Sequence, residues 1–136
     1  MADGIPRLTV AVTGGTGYLG AHTVRALLDD GHRVRLLLHP ADNLAALAGL
    51  GVETGQLQVV PGDVREVATV RALLEGCDAL LHAAGVVGTG EERERLMQEV
   101  NVEATRFVLE EAVARGLDPI VHVASYSALF PSPDPV

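Results

Sequence analysis

Gly14, Gly17 and Gly20 stand three residues apart, directly behind the β-branched run Thr9-Val10-Ala11-Val12-Thr13 and at the head of a helical pattern. Each glycine has a separate physical use if the turn holds a phosphate. Gly14 lets the chain turn sharply out of a strand, since glycine takes positive φ without a Cβ penalty. Gly17, without a side chain, lets the backbone approach a pyrophosphate. Gly20 allows the first helical turn to pack closely on the strand. The free N–H groups and the positive dipole end of that helix then face the phosphates. The alternative is a glycine-rich turn that binds nothing. A strand before it, a helix after it and an alternating pattern beyond favour the nucleotide.

The elements that must position this turn follow in alternation. Leu8–Thr13 reads as the first strand and Tyr18–Asp30 as the first helix, with Leu19, Thr23, Ala26, Leu27 and Asp30 at helical spacing and Gly31 as its stop. Arg33–Leu38 is the second strand. Pro40 and Asp42 open a second helix to about Leu50, with Asp42 as N-cap and Gly49 and Gly51 closing it. Gln56–Val60 is the third strand, Pro61-Gly62-Asp63 a turn, and Arg65–Glu75 a helix with Val67, Val70, Leu73 and Leu74 on one side. Ala79–Ala84 forms the fourth strand, and a loop from Gly85 to Gly90 leads into one long helix, Glu91–Arg115. Leu96, Val100, Phe107, Val108, Ala112 and Val113 are spaced on it for burial. Pro119–Ala124 is the fifth strand, and alternating prolines exclude regular structure over residues 131–136. Helical crossovers predict a right-handed, doubly wound α/β fold of Rossmann type with a parallel sheet in the order 3-2-1-4-5. Residues 1–130 form one dinucleotide-binding domain and 131–136 a proline-rich tail or loop.

Composition agrees. The 136 residues are 48% hydrophobic, yet Tyr18, Tyr126, Phe107 and Phe130 are the only aromatics, so the core must be Val, Leu, Ile and Ala. That suits a parallel sheet covered on both faces. A net charge of −8 leaves no basic stripe for nucleic acid. Cys77 is the one cysteine, so no intrachain disulfide can form, and a reducing cytoplasm is expected. With no metal-ligating partner in sequence, Cys77 reads as a packing residue, and no metal site is expected. The start of the chain lacks a secretory pattern, and no apolar run is long enough to span a bilayer.

In order, the pieces Thr13–Gly20, Gly62-Asp63-Val64, Gly76-Cys77-Asp78, His82-Ala83-Ala84-Gly85, Asn101-Val102 and Val121-His122-Val123-Ala124-Ser125 are spread over nearly the whole chain, from residue 8 to about 130. Together they resemble the extended short-chain dehydrogenase/reductases, in the NAD-dependent epimerase/dehydratase and dihydroflavonol-reductase-like branch. The resemblance implies an NAD(P) cofactor bound by Gly14, Thr16, Gly17, Tyr18, Leu19 and Gly20. It implies that Asp63 accepts from the adenine amino group while the backbone of Val64 reads the same ring; a plain turn or cap aspartate is the other reading. Ala83, Ala84 and Gly85 leave room for a ribose, and Asn101 orders backbone and water unless it is an ordinary surface asparagine. Ser125 corresponds to the catalytic serine, with Ser127 close enough to exchange with it and a loop serine as the bland alternative. His82 reads as a structural strand-end histidine.

Cofactor choice falls at the end of the second strand. No acidic residue stands at Leu38 or His39, and His39 offers a donor to a 2′-phosphate, with Arg35 on the same strand, so the reading leans to NADP. The family's Tyr-x-x-x-Lys pair is missing: the chain has no lysine, and four residues after Tyr18 and Tyr126 stand His22 and Phe130. Two explanations compete. The favoured one is the N-terminal, cofactor-binding part of an oxidoreductase or epimerase/dehydratase acting on a small carbonyl or hydroxyl substrate, inactive alone. In its favour, Ile120-Val121-His122-Val123 would otherwise be an exposed apolar sheet edge. The alternative is a non-catalytic nucleotide-binding protein, redox-sensing or scaffolding. A homodimer is compatible with either.

Overall fold

The computed structural model describes residues 4–49 and 55–129. The expected helix end at Leu50 and Gly51, Phe130 and the proline-rich tail lie outside them.

Five strands form one parallel sheet: β1 (Thr9–Thr13), β2 (Arg33–Leu38), β3 (Leu57–Pro61), β4 (Ala79–His82) and β5 (Ile120–His122), in the order β3-β2-β1-β4-β5. β1 lies between β2 and β4, with Val10 opposite both Val34 and Ala79. Side chains alternate across the sheet, so each strand feeds two cores. Val10, Val12, Val34, Leu36 and Leu81 pack with Val24 of α1 (Tyr18–Asp29) on one face. Ala11, Leu37 and Leu80 meet Val70, Leu73 and Leu74 of α2 (Val67–Leu74) on the other. Val100, Val108 and Ala112 complete that second layer. A fully buried leucine such as Leu36, Leu73 or Leu80 contributes about 1.5–3 kcal/mol.

Four local expectations need correction. The buried face of α1 runs through Gly20, Val24, Leu27 and Leu28, one residue on from the spacing read around Leu19, which is 52% exposed. Gly20 hid the phase, because a glycine on a packed face carries no hydrophobic signal. The helix expected from Asp42 is instead a 3-10 turn, Leu44–Leu47, capped by Asn43, whose Oδ1 accepts from the N–H of Ala45. Asp42 is taken up elsewhere, its carboxylate accepting from the N–H of His39 at 2.9 Å. On the outer side of their helices, Val67 and Val113 are exposed.

The fourth correction bears on function. Glu91–Arg115 is not a uniform α-helix: α3 (Glu91–Met97) passes into a π-helical segment, Gln98–Ala104, before α4 (Thr105–Ala114). Such wide turns cost regular bonding and concentrate at functional sites.

Arg35 is also not where the cofactor reading places it. Its Nε and one terminal nitrogen donate to the carbonyls of Leu73 and Ala72, and the other donates to Gln58 Oε1. It thus satisfies the open C-terminal carbonyls of α2 and its negative dipole end, and its guanidinium is held there.

At the sheet margin β5 is an edge strand, with Val121 and Val123 exposed as expected. No helix of the described residues is long and apolar enough to cross a membrane.

Candidate functional site

A cleft of about 470 Å³ opens over the C-terminal ends of the strands, where the sheet order reverses between β1 and β4. In an open parallel sheet this is the position for a ligand. Its lining brings together Gly14, Thr16 and Gly17 of the first turn, His39 after β2, Asp63 and Val64 after β3, and Ala83, Ala84 and Gly85 after β4. Leu96 and Val100 close it from α3 and the π segment. Nine of the fourteen residues read from the sequence therefore share one cavity.

The turn is built as a cradle. Gly14 has φ +71°, and a Cβ there would strike the backbone of Ala83 and Ala84. Gly17 is the N-cap of α1 and supplies no side-chain cap, so the first-turn N–H groups stay open to a ligand. A Cβ on Gly17 would meet only the Gly14 carbonyl oxygen, at an ordinary 3.4 Å. The space beside it is free, as an approaching phosphate requires. Gly20 lies behind the turn, where a Cβ would run into the Gly14 carbonyl. Gly15, which the sequence spacing passes over, is also closely packed: its Cβ would collide with the end of the Leu36 side chain and press on Val24.

Gly20→Ala is therefore expected to lower stability by about 1–3 kcal/mol through overpacking against rigid backbone. Helix propensity alone would raise it by about 1 kcal/mol. Urea unfolding of Gly20→Ala beside Gly17→Ala decides the sign, and a stabilised Gly20→Ala would refute the close packing.

At the other end of the cleft, Asp63 is ionised and firmly held. Arg65 donates to it through Nε, a terminal nitrogen at 2.7 Å and its own backbone N–H. These bonds, the Arg65 side chain foremost, bring the Asp63 carboxyl down to about 2. His39 Nε2 lies 3.4 Å from the same carboxylate, while its Nδ1 accepts from the N–H of Ala41. Arg65 also spans to Glu99 at 2.7 Å, tying this corner to the π segment. Asp63 thus has both characters weighed for it: a turn carboxylate bonded two residues on, and an acceptor facing the cleft.

The remaining residues fall outside the lining. Asn101 stands on the π segment and clamps Val86 from both sides, its Oδ1 accepting from the Val86 N–H and its Nδ2 donating to the Val86 carbonyl, both at 2.8 Å. It fixes the loop after β4 rather than touching the cleft. Tyr18 (88% exposed) and Leu19 point outward from α1. Ser125 follows the edge strand, exposed, with its Oγ 2.7 Å from Ser127 Oγ. Cys77 is half-buried, its thiol pushed up to about 11 by burial and donating to the Leu73 carbonyl, in keeping with a packing role.

Comparison with known proteins places these features. The family described as NAD dependent epimerase/dehydratase matches residues 10–136. Sterol demethylase protein B of Methylococcus capsulatus is 38% identical over 93% of this chain, and 3 beta-hydroxysteroid dehydrogenase type 7 of Mus musculus is 34% identical over 97%. The chain spans 37% of the length of each. A short-chain dehydrogenase/reductase superfamily protein from Agrobacterium tumefaciens, solved with bound NAD, superposes with a TM-score of 0.74 at 27% identity. The match covers 90% of this chain and 34% of that one. With the glycine cradle, the strand order and a match over almost its full length, this chain belongs to the NAD-dependent epimerase/dehydratase family.

Proposed function

We propose that residues 1–130 are the dinucleotide-binding domain of an oxidoreductase or epimerase/dehydratase acting on a carbonyl or hydroxyl group. The observation that carries this reading is the single cleft that joins an uncapped helix start at Gly17 to the ionised carboxylate of Asp63. Pyrophosphate would lie on the N–H groups of α1, the adenine amino group would donate to Asp63, and the small residues Ala83, Ala84 and Gly85 would flank the nicotinamide ribose. Relatives solved with NAD support this assignment. Two relatives named for sterol chemistry put sterols first among substrates to try. The lone, buried-side thiol suits a reducing cytoplasm.

Two groups at the end of β2 pull cofactor choice in opposite directions. His39 offers an N–H toward a 2′-phosphate and supports NADP. Asp42, which also lines the cleft, supplies a carboxylate for ribose hydroxyls and supports NAD. With Arg35 committed to α2, the lean to NADP rests on His39 alone, and a preference of less than about tenfold, roughly 1.4 kcal/mol, is expected.

Gly17→Val tests the whole reading, because its Cβ is accommodated by the fold while its side chain enters the phosphate space. NADH and NADPH titrations by fluorescence are expected to show affinity reduced by tenfold or more, with cooperative unfolding retained. Unchanged affinity in the folded variant would remove the cofactor assignment.

A further inference from the structure

Thr13, His82 and Thr105 form a buried hydrogen-bonded chain that runs from β1 through the end of β4 to the start of α4. Thr13 Oγ1 lies 2.7 Å from His82 Nδ1, and His82 Nε2 lies 2.8 Å from Thr105 Oγ1. Counting donors fixes every direction in it. Thr13 Oγ1 accepts from the N–H of Ala84 at 3.1 Å and shares that of Ala83, at 3.2 Å, with the Thr13 carbonyl, so its one proton goes to His82 Nδ1. The neutral ring therefore carries its proton on Nε2 and donates to Thr105 Oγ1. Thr105 passes its own proton to the carbonyl of Val100, at 3.3 Å, inside the π segment. No buried side-chain polar atom among the described residues is left unpaired.

We propose that His82 is a positioning residue for the cofactor, acting through Thr13 on the Ala83–Ala84 backbone and through Thr105 on the π-helical turn. Both ends of the chain reach the cleft without His82 touching it. Ala83 and Ala84 form its wall beside Gly14, and Val100 closes it from above. The ring sets the distance between the two walls, because Nδ1 and Nε2 sit at separate edges of one rigid planar ring. The wide turn at Gln98–Ala104 brings the Val100 carbonyl within reach of Thr105, five residues on. A helix with ordinary bonding has no need of this contact, and the histidine gives the turn a purpose. This inference rests on the cofactor reading of the cleft.

The experiment compares the full chain with Thr105→Val, Thr105→Ser and Gly17→Val. NADH affinity is expected to fall about tenfold in Thr105→Val and to return in Thr105→Ser, with both variants unfolding cooperatively. ¹⁵N spectra of the wild-type ring are expected to show the Nε2-protonated tautomer, with the ring resonances shifting when NADH is added. A Thr105→Val variant that loses thermal stability but keeps its affinity would overturn the positioning role. So would an Nδ1-protonated ring, or ring resonances indifferent to NADH. If Gly17→Val alone also leaves affinity unchanged, the cofactor reading itself fails. If Gly17→Val weakens binding and Thr105→Val does not, only the relay does. Should Thr105→Val not fold, the spectra of the native chain decide.

Discussion

A polypeptide of residues 1–136 is expected to bind a nicotinamide cofactor weakly at best and to transfer no measurable hydride. The titratable side chains among the residues lining the cleft are His39, Asp42, Asp63 and Arg65, all beyond the ends of β2 and β3. His39 has one ring nitrogen occupied by Ala41 and the other turned to Asp63, and Asp63 stays ionised down to about pH 2. On the opposite side, Ala83, Ala84, Gly85 and Val86 carry nothing that could give a proton to a developing alkoxide. Tyr18 and Tyr126 are 88% and 81% exposed and outside the cleft, and lysine is absent from the sequence. General acid help of about 10²–10⁴-fold is therefore missing, equivalent to roughly 3–5 kcal/mol of barrier. Ser125, paired with Ser127 beyond the edge strand, could orient an oxygen but not protonate it efficiently. The check is NADPH and NADH oxidation with aldehydes, ketones, nucleotide sugars and 3-ketosterols. Turnover abolished by Ser125→Ala would mean that this polypeptide assembles a catalytic site from other groups.

The second large effect is a loss of stability on mild acidification. Burial, with a smaller contribution from the adjacent His122, lowers the His82 pKa from 6.5 to about 4. Above pH 6.5 neither the folded nor the unfolded chain holds a proton there, and stability is complete. Between pH 6.5 and 4 the unfolded chain takes up a proton that the folded chain refuses. Stability then falls by about 1.4 kcal/mol per pH unit, to a total of roughly 3 kcal/mol. Asp63 acts lower down: its carboxyl is depressed, so its contribution is present above pH 3.8 and goes as pH drops toward 2. The two groups therefore titrate in separate windows. Urea unfolding at pH 7 and pH 4.5 should show the drop. In His82→Gln, which can still donate and accept in the buried position, the difference between the two pH values should shrink to a fraction. An undiminished difference would assign the acid sensitivity to other groups.

The sheet order and the turn at Gly14–Gly20 were readable in the sequence because both depend on signals of short range. A β-branched run, a glycine turn and a helix declare themselves within a dozen residues. Nine of the expected binding residues converge for the same reason, since strand ends in a parallel sheet all point to one side. What escaped depended on partners distant in sequence. Arg35 looks like an anion ligand until Leu73 and Ala72, nearly forty residues away, claim its donors. Thr105 resembles any polar helix residue, and only the position of His82 makes it part of a buried chain. The π segment was invisible because Leu96, Val100, Phe107 and Val108 fit an α-helical repeat closely enough to hide one wide turn. Gly15 and the phase of α1 were missed because packing against a glycine leaves no apolar mark.

The wide turn at Gln98–Ala104 also governs how this stretch tolerates insertions and deletions. Bonding of the i→i+5 kind holds about one residue more than the α-helix it interrupts. Removing a single residue there would restore regular bonding and gain local order. Regularising the turn with every residue kept would instead rotate everything on the N-terminal side by about 100° relative to α4. Asn101 would swing off Val86, and Leu96 would leave the cleft. For α3 and α4 the length of the chain between them is a phase setting, and the register that aims both at the sheet is kept by an irregular turn that a more perfect helix would destroy.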